Sequence, residues 1–244
     1  MLFFGKKKEK VTDLSWLNTD MHSHLVPAID DGSPDSETSI ELIEGLQKFG
    51  FQKIITTPHV LWDVYPNTSH DIQSGLSQVK NELENQNNNI ELSAAAEYFI
   101  DEHFQEHLNL KEPLLTLSGN LVLVEFSMVV APMDLQQVLF EMQIQNYQPV
   151  IAHPERYIYL KQKKSFFDEL KNAGAFLQLN LLSLTGYYGK AVQELAEYLV
   201  KKDMYDYAGT DLHNERHLEG LQRLSNSPML DRLKDSGRIK NHLL

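Results

Sequence analysis

The sequence predicts an α/β fold built on parallel strands. Short apolar runs alternate with longer amphipathic segments along all 244 residues. Several of the runs, such as Leu121-Val122-Leu123-Val124, show no polar alternation, as expected of strands covered on both faces. Most of the runs also end on His, Asp or Glu, and α/β sites gather at the carboxyl ends of strands.

The first strand is expected over Asp20–His24. A helix follows over Ser36–Phe49, where Ile40, Ile43, Leu46 and Phe49 recur at helical spacing and Gly50 supplies the stop. Lys53–Pro58 reads as the second strand. Asp71–Glu84 reads as a helix with Ile72, Leu76, Val79 and Leu83 on one side. The polar run Asn85-Gln86-Asn87-Asn88-Asn89 links it to a strand over Glu91–Glu97. Strand Leu121–Glu125, helix Leu135–Gln145 and strand Pro149–His153 continue the alternation. Helix Lys164–Ala173, closed by Gly174, precedes strand Ala175–Asn180, and helix Lys190–Lys202 leads to the last strand, Tyr205–Asp211. Right-handed crossovers between such strands build either an open doubly wound sheet or a barrel, and composition does not separate the two.

Composition narrows the chemistry. The chain has no cysteine, which excludes disulfides, thiolate metal sites, cysteine-ligated clusters and cysteine nucleophiles. With 22 Lys and Arg against 34 Asp and Glu the net charge is −12. That balance disfavours a nucleic-acid surface and, at first reading, anionic substrates. No run of about 18 apolar residues suggests a membrane span. Met1-Leu2-Phe3-Phe4-Gly5 before Lys6-Lys7-Lys8-Glu9-Lys10 inverts the order of a signal peptide. Residues 1–18 are therefore expected to be a basic, frayed extension with at most weak adhesion to anionic lipid. A single domain is expected over 19–244. The matching expectation is a cytoplasmic protein, transiently at the inner face of the membrane.

Nine nitrogen or oxygen ligands stand at or near strand ends. His22 and His24 are two apart, so on a strand both imidazoles face one side. Asp31 follows in Asp30-Asp31-Gly32, and His59 ends Thr57-Pro58-His59. Glu97 and Glu125 close two further strands, and His153 opens His153-Pro154-Glu155-Arg156. Asp211 and His213 form a second pair two apart. Any one of these alone reads as a structural or solvated residue; their coincidence reads as a metal site. Imidazole and carboxylate without sulfur suit manganese, iron or zinc better than magnesium. Asp31, Glu97, Glu125 and Asp211 carry a charge of −4, which cannot be buried together without cations. Nine ligands suit three divalent ions if one glutamate bridges. Three ions bring +6 against that −4, which leaves +2 for a phosphate dianion. Arg156 and Arg216 add fork-shaped donors for phosphate. His70, His103, His107, His217 and His242 read as surface residues. Tyr157, Tyr159, Tyr187 and Tyr188 read as ordinary packing residues, with stacking on a substrate ring as the sharper alternative.

His22-Ser23-His24-Leu25-Val26-Pro27 with Asp30-Asp31-Gly32-Ser33 resembles the opening of the PHP (polymerase and histidinol phosphatase) superfamily. Thr57-Pro58-His59, Ala95-Ala96-Glu97-Tyr98, Val124-Glu125-Phe126-Ser127, Ile151-Ala152-His153-Pro154-Glu155-Arg156-Tyr157 and Thr210-Asp211-Leu212-His213-Asn214 extend the match. The combination is similar to the PHP-type bacterial protein-tyrosine phosphatases of capsule and exopolysaccharide operons. The resemblance implies a distorted (β/α)7 barrel and a trinuclear, usually manganese-dependent site. It assigns His22, His24, Glu97 and Asp211 to one ion. A second ion takes Glu97 as a bridge, with Glu125 and His153, and a third takes Asp31, His59 and His213. It implies phosphate binding by Arg156 and, more loosely, Arg216. A hydroxide bridging the ions attacks phosphorus in line, with His59 as one candidate proton donor. The implied partner is the tyrosine-rich tail of a membrane-bound bacterial tyrosine kinase. Two other readings stand beside it: a histidinol-phosphatase-like small-molecule enzyme, and a catalytically silent metal-bearing module.

Overall fold

The computed structural model describes residues 12–244. Strand β1 (Thr19–Asp20) leads to α1 (Ser36–Lys48), then β2 (Lys53–Thr56), β3 (His59–Val60), α2 (Ser69–Asn85), β4 (Glu91–Ala94) and β5 (Glu97–Phe99). Next come α3 (Glu102–Leu110), β6 (Leu121–Glu125), α4 (Leu135–Ile144), β7 (Gln148–Ile151), α5 (Ser165–Asn172) and β8 (Phe176–Asn180). The chain finishes with α6 (Lys190–Lys201), β9 (Tyr207–Gly209), α7 (Glu215–Gln222) and α8 (Pro228–Asp235). The strands pair in parallel, in the orders β1-β2-β4 and β3-β5-β6-β7-β8-β9. The α/β alternation expected from the sequence is thus present, and the parallel sheet forms a half-barrel.

The two sheets are joined where expected strands break. Lys53–Pro58 divides into β2 and β3 around Pro58, which has no N–H to give to a ladder. Glu91–Glu97 divides into β4 and β5 at the same level. Register survives the break, because Ala95 N–H donates to Thr56 O (2.9 Å) and Glu97 N–H to Pro58 O (3.0 Å). Strand β1 stops two residues before His22, short of the expected Asp20–His24. The backbone beyond it bonds elsewhere: Thr57 N–H donates to Ser23 O (2.6 Å), and His24 N–H to Leu212 O (2.9 Å). A parallel bridge pairs Ser23 with Leu212.

Strand periodicity decides what faces inward. Met21, Ile55, Ala95, Leu123, Val150 and Tyr207 form a small buried cluster, separate from the larger core beneath the helices. Two residues beyond Ala95 and Leu123 lie Glu97 and Glu125, so the inward face carries these carboxylates just above an apolar floor. The helices begin where side chains cap them. Asp35 accepts from Thr38 N–H (2.8 Å), and Thr68 with Asp71 forms a capping box. Gly50 (φ 100°) and Gly174 (φ 83°) end α1 and α5 in the left-handed region, as their sequence positions suggested.

The boundary expected after residue 18 falls inside packed structure. Thr12, Leu14 and Leu17 are buried, and Thr12 Oγ1 donates to Gln222 O (2.9 Å) while accepting from Ser225 N–H (3.0 Å). Leu14 N–H donates to Phe49 O. The apolar spacing of Leu14 and Leu17 is what binds this stretch to the core. The basic run Lys6–Lys10, expected as a frayed tail, lies outside the described residues. Among the described residues no helix is long and apolar enough to cross a membrane.

Candidate metal centre

The strand ends bring all nine expected ligands together. Glu97 is the hub. Its Oε2 lies 3.2 Å from His22 Nε2, 3.5 Å from His24 Nε2 and 3.2 Å from His59 Nδ1. Its Oε1 lies 3.0 Å from His153 Nε2. Asp211 Oδ1 faces His22 (3.3 Å), His24 (3.4 Å) and His213 (3.5 Å). Glu125 Oε1 approaches His59 Nδ1 at 3.1 Å, and Glu125 Oε2 approaches His153 Nε2 at 3.8 Å. Asp31 Oδ1 lies 3.4 Å from the Nε2 atoms of both His59 and His213. Four overlapping groups result: His24/Asp31/His59/His213, His22/His24/Asp211, His22/Glu97/His153 and His59/Glu97/Glu125.

These donor atoms point at shared positions more than at each other. Glu97 Oε2, His59 Nδ1 and His153 Nδ1 are buried without a hydrogen-bond partner. An unpaired carboxylate oxygen in a buried pocket is costly, so a lone pair aimed at imidazole nitrogens without bonding them calls for a cation between them. The donor set therefore fits divalent metal.

Neighbours outside the ring fix its tautomers. His22 Nδ1–H donates to Gln178 Oε1 (3.0 Å), His24 Nδ1–H to Asp30 Oδ2 (2.8 Å) and His213 Nδ1–H to Asp211 O (2.8 Å). Each of these bonds leaves an Nε2 lone pair facing the cluster. Asn180 Nδ2 donates to Asp211 Oδ2 (2.8 Å), as does Arg156 Nη1 (2.9 Å). The Arg156 guanidinium also lies 4.7 Å above the Tyr188 ring. Glu155 is wholly buried and accepts from Asn180 N–H, Ser183 Oγ and Tyr205 Oη, which pins the His153–Arg156 turn to the segment after β8. His153 (φ 32°) and Asp211 (φ 51°) both take left-handed backbone, at about 1–3 kcal/mol each, to aim their side chains inward. Gly32 lies so close to His24 that a Cβ there would collide with the His24 carbonyl and Cβ.

Gln178, Asn180, Asp30, Glu155 and His217 were not picked out by sequence as part of the site. The signal existed for one pair: Gln178 and Asn180 are two apart on the expected strand Ala175–Asn180 and share a face. His217, expected at the surface, is buried, with Nδ1 3.0 Å from Asp211 O. His103 and His107 lie at the surface as expected, each partly covered. Their Nε2 atoms are 2.9 Å apart, and Trp62 stacks on His103. His70 and His242 are exposed as expected. Tyr157 is core, stacked 4.0 Å from Phe126. Arg216 is not brought to the cluster. It is exposed on the first turn of α7, and no hydrogen bond or ion pair ties it to the ligands.

Without metal the pocket holds protons where cations belong. Burial presses the His22 imidazole toward neutrality, but Glu97 and Asp211 outweigh it and raise its pKa to about 9. Burial likewise opposes His24, yet Asp30 and the bonds to Asp211 and Glu97 carry its pKa well above the ordinary value. The bond to His213 lowers Asp31 to about 2. A metal ion would have to displace these protons, so affinity is expected to rise with pH through the His22 pKa of about 9. Calorimetric titration with manganese at pH 7, in buffers of differing ionisation heat, should show proton release that diminishes as the pH is raised past 9. Proton-neutral binding at pH 7 would contradict these assignments.

The profile of the family described as Capsular polysaccharide synthesis, CpsB/CapC, matches residues 18–223. Tyrosine-protein phosphatase YwqE of Bacillus subtilis is 30% identical over 195 residues, covering 80% of this chain and 77% of that protein. Putative tyrosine-protein phosphatase CapC of Staphylococcus aureus is 29% identical over 195 residues, covering 80% and 76%. A chain from the crystal structures of YwqE from Bacillus subtilis and CpsB from Streptococcus pneumoniae, metal-dependent tyrosine phosphatases, superposes with a TM-score of 0.78. It is 27% identical and covers 91% of this chain and 89% of that one. A histidinol phosphate phosphatase from Lactococcus lactis shares the fold at a TM-score of 0.53 and 13% identity. With nearly its whole length matched, the chain belongs to the CpsB/CapC family of capsular polysaccharide synthesis.

Proposed function

We propose that this chain is a metal-dependent protein-tyrosine phosphatase. The observation that carries the reading is the Glu97 hub, whose Oε2 faces three histidine nitrogens within 3.5 Å with no hydrogen-bond partner of its own. Around it we assign three divalent ions, manganese first, then iron or zinc. His22, His24, Glu97 and Asp211 hold one ion. Glu97, Glu125 and His153 hold the second, and Asp31, His59 and His213 the third. When bound, such ions supply Lewis acidity toward the phosphoryl oxygens and lower the pKa of a coordinated water. In the same reading the half-barrel is a distorted seven-stranded barrel, supported by the Ser23–Leu212 bridge, and the packed chain is one domain.

The protein's own groups do the rest. Arg156 engages Asp211 through Nη1 and is partly exposed, and its remaining donors are assigned to orienting the phosphate. Asn180 and Arg156 together hold Asp211 Oδ2, so its Oδ1 stays turned to the histidines. His59, partly exposed between two ligand groups, would return a proton to the leaving oxygen only with its Nε2 free of the third ion. That demand is small, because a tyrosine hydroxyl has a pKa of about 10, far below an alkyl alcohol. Arg216, exposed at the start of α7, has a lesser role from the solvent side. The substrate is a phosphotyrosyl protein, with the tail of a membrane-bound tyrosine kinase as the expected partner at the cytoplasmic face.

The test is turnover of a phosphotyrosyl peptide and of histidinol phosphate by metal-stripped protein as each metal is restored. Activity on the peptide should return with manganese, resist thiol alkylation, and exceed that on histidinol phosphate. Full activity after stripping, or preference for histidinol phosphate, would overturn the proposal.

A further inference from the structure

Large apolar side chains left in water mark surfaces that meet something else. Here several of them sit on two loops beside the metal centre. Loop 61–68 leaves β3 just after His59 and exposes Trp62 and Val64. Loop 127–134 leaves β6 just after Glu125 and exposes Val129, Val130 and Met133. Because His59 Nδ1 and Glu125 Oε1 are 3.1 Å apart, the two loops start side by side at the mouth of the site.

Neither loop is loosely attached. The Tyr65 ring stacks on the His59 ring (5.6 Å, 12° between planes), and Trp62 stacks on His103 (3.9 Å, 23°). Tyr159 Oη donates to Ser127 O (3.0 Å), and Met128 and Ala131 pack against the core. The exposed side chains are therefore held outward on anchored backbone, and little ordering entropy remains to be lost on binding. Trp and Met are also residue types that favour the buried centre of protein interfaces.

Charge identifies the occupant. Across 61–68 and 127–134 the ionisable acids are Asp63 and Asp134, and there is no Lys or Arg. An anionic bilayer needs basic residues at its contact, which these loops lack. Acidic side chains beside the phosphotyrosine would be repelled by Asp63 and Asp134. An apolar stretch of polypeptide meets neither objection. We propose that the two loops form an apolar rim that selects phosphotyrosine flanked by apolar residues and not by acidic ones. The proposal rests on the phosphatase reading above and specifies its substrate class.

The experiment uses the manganese-loaded full chain and three phosphotyrosyl peptides, flanked by Leu and Phe, by Ser and Gly, or by Glu. A small aryl phosphate serves as the control. The parent should favour the apolar peptide over the Ser/Gly peptide about tenfold in kcat/KM, with the Glu peptide lowest. Trp62→Ser and the double variant Val129→Ser/Val130→Ser should each reduce that preference to about twofold or less, with unchanged turnover of the aryl phosphate. Equal use of the three peptides by the parent, or undiminished preference in both variants, would overturn the rim. So would flat peptide selectivity combined with vesicle binding that the variants lose, since the surface would then serve a membrane. Failure to hydrolyse even the aryl phosphate would strike the phosphatase reading instead.

Discussion

Glu97→Gln is expected to lower kcat on a phosphotyrosyl peptide by about a thousandfold or more and to remove at least one bound ion. No other carboxylate of the cluster faces so many histidines: Glu97 meets His22, His24, His59 and His153. The amide keeps the volume and loses the charge, so a shape effect is separated from an electrostatic one. Burial alone would push the Glu97 carboxyl up, yet the charges of His22 and His59 hold it well below the ordinary carboxylate range. Its contribution to metal-free stability is thus present above the unfolded carboxylate pKa and lost as pH falls through the lower folded value. The amide should therefore also destabilise the metal-free protein at neutral pH, by about 3–5 kcal/mol, because it strands buried imidazolium. Elemental analysis, single-turnover kinetics and urea unfolding measure the three effects. Wild-type metal content with wild-type kcat would remove Glu97 from the centre of the scheme.

The second large effect is expected at Arg156. Arg156→Ala should cut kcat/KM by about 10²–10³, the loss typical of removing one preorganised donor at a developing charge, while leaving metal content near that of the parent. Arg156→Lys should recover little, because a single ammonium cannot both hold Asp211 Oδ2 and present a second parallel donor. Stacking on Tyr188 fixes the guanidinium plane, and Lys loses that as well. Arg216→Ala should cost about fivefold or less, as befits an exposed side chain with no partner in the cluster. A larger loss at Arg216 than at Arg156 would reverse these assignments.

The clustered residues were legible in the sequence because most stand at or just past the ends of expected strands, some of them two apart. His22 and His24, or Asp211 and His213, read as pairs two apart on one face, and they do converge, although β1 and β9 end before them and Asp211 takes left-handed backbone. Helices α1 and α2 were legible through long apolar spacing, and α2 gained a capping box that confirms its start at Ser69. Eight or nine residues give little over two turns of periodicity, so of the short helices α5 was read from the sequence and α3, α7 and α8 were not. The supporting amides Gln178 and Asn180 were hidden for another reason. A neutral polar residue in a strand carries no charge signature, and its partner lies far along the chain. His217 looked like one more surface histidine until α7 turned it against the Asp211 carbonyl. Net charge misled most. The excess of acids seemed to exclude phosphate, but four of those acids converge where cations fit.

The first and last strands are also latched to each other. Asp20 accepts from both Thr210 N–H (2.9 Å) and Thr210 Oγ1 (2.8 Å), and Asn241 Nδ2 reaches Thr19 O (2.9 Å). His22 and His24 therefore meet Asp211 and His213 only once the two ends of the fold have closed. During synthesis the early histidines leave the ribosome long before their partners, and a nascent chain has no complete cage to load. If ions are held as proposed, the groups that need Asp211 and His213 are completed only at the end of translation, and a protein released without its last strand should keep at most the Glu97, Glu125 and His153 group.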